Sequence, residues 1–102
     1  MIRGTTPVHT FATSISLVDA TAIEVTYQQG VVILEKTKAD CEITDTTLAV
    51  TLTQEDSFKF KDYGYLALVQ ITAKFMEGDK EKVLKSNISL VNVSKSLKEG
   101  II

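Results

Sequence analysis

The chain has 102 residues, 44 % of them hydrophobic and 24 % charged, with a formal net charge of −2 and a pI near 5.3. That is the size of one domain, with enough apolar surface to bury a core without metals or disulfides. The mildly acidic balance lacks the clustered basic face that nucleic acid demands, no apolar stretch approaches a membrane span, and a single cysteine excludes an intramolecular disulfide.

Met1 to Pro7 reads as an extended arm, because Gly4 is permissive and Pro7 steers Thr6 away from helix. The arm has no apolar core of the length a signal peptide needs, so a soluble protein made in the cytoplasm is expected. A first strand follows from about Val8 to Leu17, with Phe11, Ile15 and Leu17 on one face. Asp19-Ala20-Thr21 turns the chain into a second strand, Ala22 to Gln28, where Ile23, Val25 and Tyr27 alternate with polar neighbours. Gln29-Gly30 supplies a tight hairpin, with glycine taking the positive φ such turns want.

The third strand runs from Val31 to Lys36 and is apolar on both faces. Cys41-Glu42-Ile43 is a short fourth strand, and Asp45-Thr46 turns it into a fifth carrying Leu48, Val50 and Leu52. Thr53-Gln54-Glu55-Asp56-Ser57-Phe58 is the helix-like stretch: Thr53 suits an N-cap and the acids suit the helix dipole. It predicts a single turn that drops Phe58 or Phe60 into one end of the core. Tyr65 to Met76 reads as a long strand with Val69, Ile71, Ala73 and Phe75 alternating, and Glu77-Gly78-Asp79 turns it into a last long strand, Glu81 to Ser94. A tail, residues 96–102, ends in two isoleucines. About seven short strands with a turn signal every eight to twelve residues predict an all-β fold, an immunoglobulin-like antiparallel β-sandwich with one short helical turn. The whole chain, 1–102, is then a single domain.

Few residues offer chemistry. His9 is the one histidine; as a base or metal ligand it would need distant partners, and as a strand residue it needs none. Cys41 as a nucleophile would require His9 beside it and a third group to orient the base, whereas a small half-buried apolar residue suffices to explain it. Asp40, Glu42 and Asp45 lack the spacing of a calcium loop, and the five glycines are scattered rather than gathered into a phosphate cradle. No catalytic residue, cofactor, metal, nucleic acid, membrane or small-molecule substrate is therefore expected. Tyr63 and Tyr65 are the loop aromatics a sugar-binding site would use; Asp62-Tyr63-Gly64-Tyr65 also invites comparison with the tyrosine corner of immunoglobulin-like domains.

The doubly apolar strands carry the sharper inference. In a two-layer sandwich one face of each strand meets the core, so Val32, Leu34, Leu66 and Leu68 are expected to look outward from Val31/Ile33 and Tyr65/Ala67/Val69. If the third and sixth strands pair, these four form an exposed patch that implies a protein partner. The arm, the terminal Ile101-Ile102 or a β-bulge could instead cover or turn them.

The opening Met1-Ile2-Arg3-Gly4-Thr5-Thr6-Pro7-Val8-His9-Thr10-Phe11, the Leu52-Thr53-Gln54-Glu55-Asp56 stop and the Gln29-Gly30 hairpin together resemble small structural proteins of tailed phages and prophages of Firmicutes. The layout also resembles the N-terminal β-sandwich domain of phage baseplate upper proteins, without their long C-terminal extension. The resemblance implies a non-catalytic virion structural or assembly module, made in the bacterial cytoplasm and built into a phage particle. Its expected partners are itself and other phage structural proteins, and its arm is expected to add to a neighbour's sheet edge. A carbohydrate- or cell-surface-binding module is the alternative.

Overall fold

A computed structural model describes residues 1–62, 66–98 and 100–102. Among these, eight strands form two antiparallel sheets that pack face to face as a sandwich. The smaller sheet has the order β1-β5-β4, from β1 (Val8–Ala12), β5 (Thr47–Thr51) and β4 (Cys41–Ile43). The larger has the order β3-β2-β6-β7, from β3 (Val32–Thr37), β2 (Ala22–Gln29), β6 (Ala67–Glu77) and β7 (Lys80–Lys85); β8 (Ser89–Val91) also pairs with β6.

Alternation decides what is buried. Ile23, Val25 and Tyr27 of β2, Leu48 and Val50 of β5, and Ala67, Val69, Ile71 and Ala73 of β6 all point into the core. Leu34, Leu52, Leu17 and Ala20 join them. Phe60 is fully buried and packs edge-on to Tyr27, with ring centroids 5.9 Å apart. The helix is one short element, α1 (Gln54–Phe58): Thr53 accepts from the Asp56 N–H at 3.1 Å while the Asp56 carboxylate accepts from the Thr53 N–H at 2.9 Å, a reciprocal cap.

Four expectations from sequence are corrected. The first strand stops at Ala12; Ile15 is exposed and Leu17 enters the core from a loop. The third and sixth strands do not pair, because β2 lies between them. The last long strand is broken: Gln70 and Ile71 on β6 oppose three residues, Ser86 to Ile88, which is a β-bulge. Ser86 stabilises it, its N–H donating to the Ile71 carbonyl at 2.9 Å and its Oγ accepting from the Ile71 N–H at 2.9 Å.

The fourth concerns the first seven residues, which are docked within the molecule rather than held out for a neighbour. Arg3 N–H donates to the Ser94 carbonyl at 3.0 Å, alongside a parallel bridge of Ile2 to Ser94. The Arg3 guanidinium donates to the Phe60 carbonyl at 2.7 Å and lies over the Phe58 ring. Gly4 donates to the Ser57 hydroxyl at 2.9 Å, and that hydroxyl donates to the Thr5 carbonyl at 2.8 Å. Gly4 has φ +80, and a Cβ there would stand 2.4 Å from Phe58 Cζ, so this close passage of arm over helix requires glycine.

Candidate functional site

The hairpin between β2 and β3 determines which side chains face outward. Its two-residue loop is Gly30-Val31, one residue later than Gln29-Gly30, with Gln29 paired to Val32 and Gly30 at φ +58. Either two-residue loop sets the even residues of β3 opposite the odd, inward residues of β2, so the hairpin turns Val32 and Leu34 inward and the later loop only slides the pairing by two residues. Leu34 is therefore 6 % exposed and paired with Tyr27, and Val32 is half-buried against the core. Val31 sits at the loop tip, 99 % exposed, and Ile33 is the outward residue at 59 %. Of the four expected outward residues, Val32 and Leu34 turn inward; Leu66 and Leu68 are exposed at 40 % and 38 %.

The outer face of the larger sheet thus presents a different apolar set. One row across the strands reads Ile33, Gln28, Leu68, Leu90. Beside it lie Glu35, Thr26 and Gln70, and beyond these Thr37, Glu24, Thr72 and Lys85. Lys85 and Leu90 share a face only because the Ser86–Ile88 bulge adds one residue between them. The face carries a shallow groove of about 300 Å³ whose lining includes Glu24, Gln28, Glu35, Leu68, Lys85 and Ile88. Ile88 and Leu90 are 59 % and 61 % exposed. The arm is occupied at α1 and Ser94, and the tail's Ile102 N–H reaches Gln54 Oε1 at 3.3 Å, so among the described residues neither terminus is bonded to this face.

Inside the sandwich, His9 and Cys41 flank Val50 on opposite neighbouring strands. That leaves them two strand spacings, roughly 10 Å, apart. His9 Nδ1 instead shares a 2.6 Å hydrogen bond with the Tyr27 hydroxyl across the two sheets. Burial lowers the His9 pKa, with a smaller push from the positive amino terminus, and burial raises that of Tyr27. Cys41 donates to the Thr37 carbonyl at 3.4 Å, and burial followed by the Asp40 charge raises its thiol. A raised thiol is the reverse of what nucleophilic activation requires. Asp40 accepts from the Thr37 N–H at 3.0 Å and closes a local turn, and Asp45 accepts from the Ser16 hydroxyl at 3.3 Å, joining two loops. Among the described residues no three His, Cys, Asp or Glu side chains converge as a metal site, and no helix is long and apolar enough to cross a membrane.

Two polar arrangements escape sequence reasoning. Asp56 pairs with Lys36 from the inward side of β3, linking α1 to the larger sheet. The Gln29 side chain donates to the Lys61 carbonyl at 2.7 Å and accepts the Lys61 N–H at 2.6 Å, holding the chain that leaves α1. Both depend on tertiary placement; the signal in the sequence was only a polar residue at an inward position. Tyr63 and Tyr65, the candidate sugar-binding aromatics, lie outside the described residues. In comparisons with protein-family models, curated proteins and solved structures, nothing matched this chain.

Proposed function

We propose that this protein is a non-catalytic structural or assembly module of a phage or prophage particle, made in the bacterial cytoplasm and acting through protein–protein contacts. The observation that carries the interaction reading is the row Ile33, Leu68 and Leu90, with Ile88 beside it, on a sheet face whose apolar side chains are 38 % to 61 % exposed. Gln28 lies between Ile33 and Leu68 in that row, while Leu68, Leu90 and Ile88 gather exposed apolar surface rimmed by polar side chains, which marks interaction sites. The sequence resemblance supports the particle reading, and its three motif segments converge at one end of the sandwich. There the arm bonds to α1, Thr53 and Asp56 cap it, and Gln29 holds Lys61.

Purified particles from the host that encodes the chain provide the test. The wild-type protein is expected to co-purify with them, and a Leu68→Lys, Leu90→Lys variant of unchanged melting temperature is expected to be left behind. Particles free of the wild-type protein would overturn the proposal. A particle-free protein that binds an immobilised glycan would replace it with the carbohydrate-binding alternative.

A further inference from the structure

The outer face is complementary to itself. Its row Ile33, Gln28, Leu68, Leu90 ends in an aliphatic side chain at each margin, Ile33 on β3 and Leu90 on β8. Near that row its acids are Glu24 and Glu35, on the β2–β3 half, and its base is Lys85, on the β7 half; further along the same face Lys74 and Glu81 pair with each other at 3.4 Å. Among the described residues none of Glu24, Glu35 and Lys85 makes an ion pair; Lys85 donates to the Thr72 hydroxyl at 3.2 Å. We infer that two copies of this chain stack through this face, related by a two-fold axis parallel to β2 and β6. The inference rests on reading the face as an interface and names the partner.

The symmetry argument chooses the axis. A two-fold along the strands keeps each row at its own height and exchanges the two margins of the sheet. Ile33 of one copy then meets Leu90 of the other, twice over, and Lys85 of each copy lies over the half that carries the other's Glu24 and Glu35. A two-fold across the strands does the opposite. Through the middle row it sets Leu90 on Lys85 and the first row on the row of Thr37, Glu24, Thr72 and Lys85, burying charge against leucine; through the first row it stacks that row alone and leaves Lys85 of each copy away from the other's Glu24 and Glu35. The area is sufficient. Four strand rows about 4.8 Å apart, with eight residues at about 3.3 Å each, give roughly 500 Å² of plane face per copy before side-chain relief is counted. That approaches the smaller specific interfaces, so a weak, concentration-dependent dimer is expected.

Sedimentation equilibrium of the full chain over a range of concentrations tests this. The wild type is expected to move between monomer and dimer. Ile33→Lys and Leu90→Lys, both at exposed positions, are expected to shift it to monomer with an unchanged circular dichroism spectrum and melting temperature. Lys85→Glu is expected to weaken the dimer about tenfold. Adding Glu24→Lys and Glu35→Lys to Lys85→Glu restores it, since every cross-copy pair is again of opposite sign. A wild type that stays monomeric at all concentrations would overturn the inference, as would a dimer indifferent to Ile33→Lys and Leu90→Lys, or no rescue by the charge exchange. A monomer that still enters particles rejects self-pairing and keeps the assembly reading; a dimer absent from particles does the reverse.

Discussion

Lys36 on β3 and Asp56 on α1 stand 2.5 Å apart with side chains 14 % and 10 % exposed, so the helix is tied to the larger sheet by a largely desolvated ion pair. The same carboxylate accepts the Thr53 N–H, so one side chain serves both cap and crosslink. Breaking such a pair from one side leaves the other charge poorly solvated. Asp56→Ala should therefore cost about 2–4 kcal/mol in urea unfolding, more than loss of a helix cap alone.

Asp56 also predicts a pH dependence. Burial alone would raise its carboxyl, but the Lys36 and Thr53 hydrogen bonds and the Lys36 charge prevail and hold it below its ordinary value of 3.8. A carboxyl depressed in the folded state contributes stability that is complete above 3.8 and is lost as pH falls through the folded value. The stability gap between wild type and Asp56→Asn should be constant above that pH and close below it. Urea midpoints measured on both sides check this.

His9 behaves in the contrary sense to a paired histidine. Its pKa is lowered from 6.5, so the unfolded chain binds the proton more readily than the folded one. Stability should be full above 6.5 and should fall as pH drops through 6.5 towards the folded value. Replacing the imidazole by His9→Leu should remove that slope in melting temperature. Tyr27→Phe, which deletes the shared hydrogen bond from a fully buried ring, should cost about 1–2 kcal/mol.

Two glycines with positive φ separate steric from conformational cost. At Gly30 nothing lies within 4 Å of an added Cβ, so Gly30→Ala meets only the left-handed backbone penalty, about 1–2 kcal/mol. At Gly4 the same penalty adds to a collision with the Phe58 ring, and Gly4→Ala should cost about 1–3 kcal/mol more. Melting both variants side by side gives the comparison. The reverse order would show that the arm does not pass over α1 as described.

The register of β3 has a direct test. Leu34→Asp should destabilise by more than about 3 kcal/mol, because Leu34 is 6 % exposed and sits against Tyr27. Leu68→Asp, at 38 % exposed, should change stability by about 0.5–1 kcal/mol. Equal effects would mean that the two residues share an environment.

What was legible in the sequence follows from how many ways each segment could satisfy its pattern. β2, β5 and the Val69–Phe75 part of β6 alternate, so their inward faces can be read directly, and the Thr53–Asp56 spacing announces the cap of α1. β3 is apolar on both faces, so periodicity leaves its inward side open; the parity of a two-residue hairpin, which pairs even residues of β3 with odd residues of β2, is the signal that would have placed Val32 and Leu34 inside. The strand after β7 was read as continuous because a bulge inserts a residue without altering composition. The candidate face was half legible for the same reason. Leu66 and Leu68 were found, while Ile33, Ile88 and Leu90 were assigned elsewhere or left as ordinary strand residues. The ties from Lys36 to Asp56, His9 to Tyr27 and Gln29 to Lys61 join residues 18 to 32 positions apart, beyond the reach of local pattern.

The Gly30-Val31 loop gives this domain a route to a different outer face. A lineage that gained or lost one residue at the hairpin tip, keeping a two-residue loop, would present Val32, Leu34 and Lys36 to the outside in place of Ile33 and Glu35, at the cost of the Lys36–Asp56 tie and with Glu35 turned inward. Its recognition chemistry would be rewritten by an indel, with no substitution anywhere on the surface.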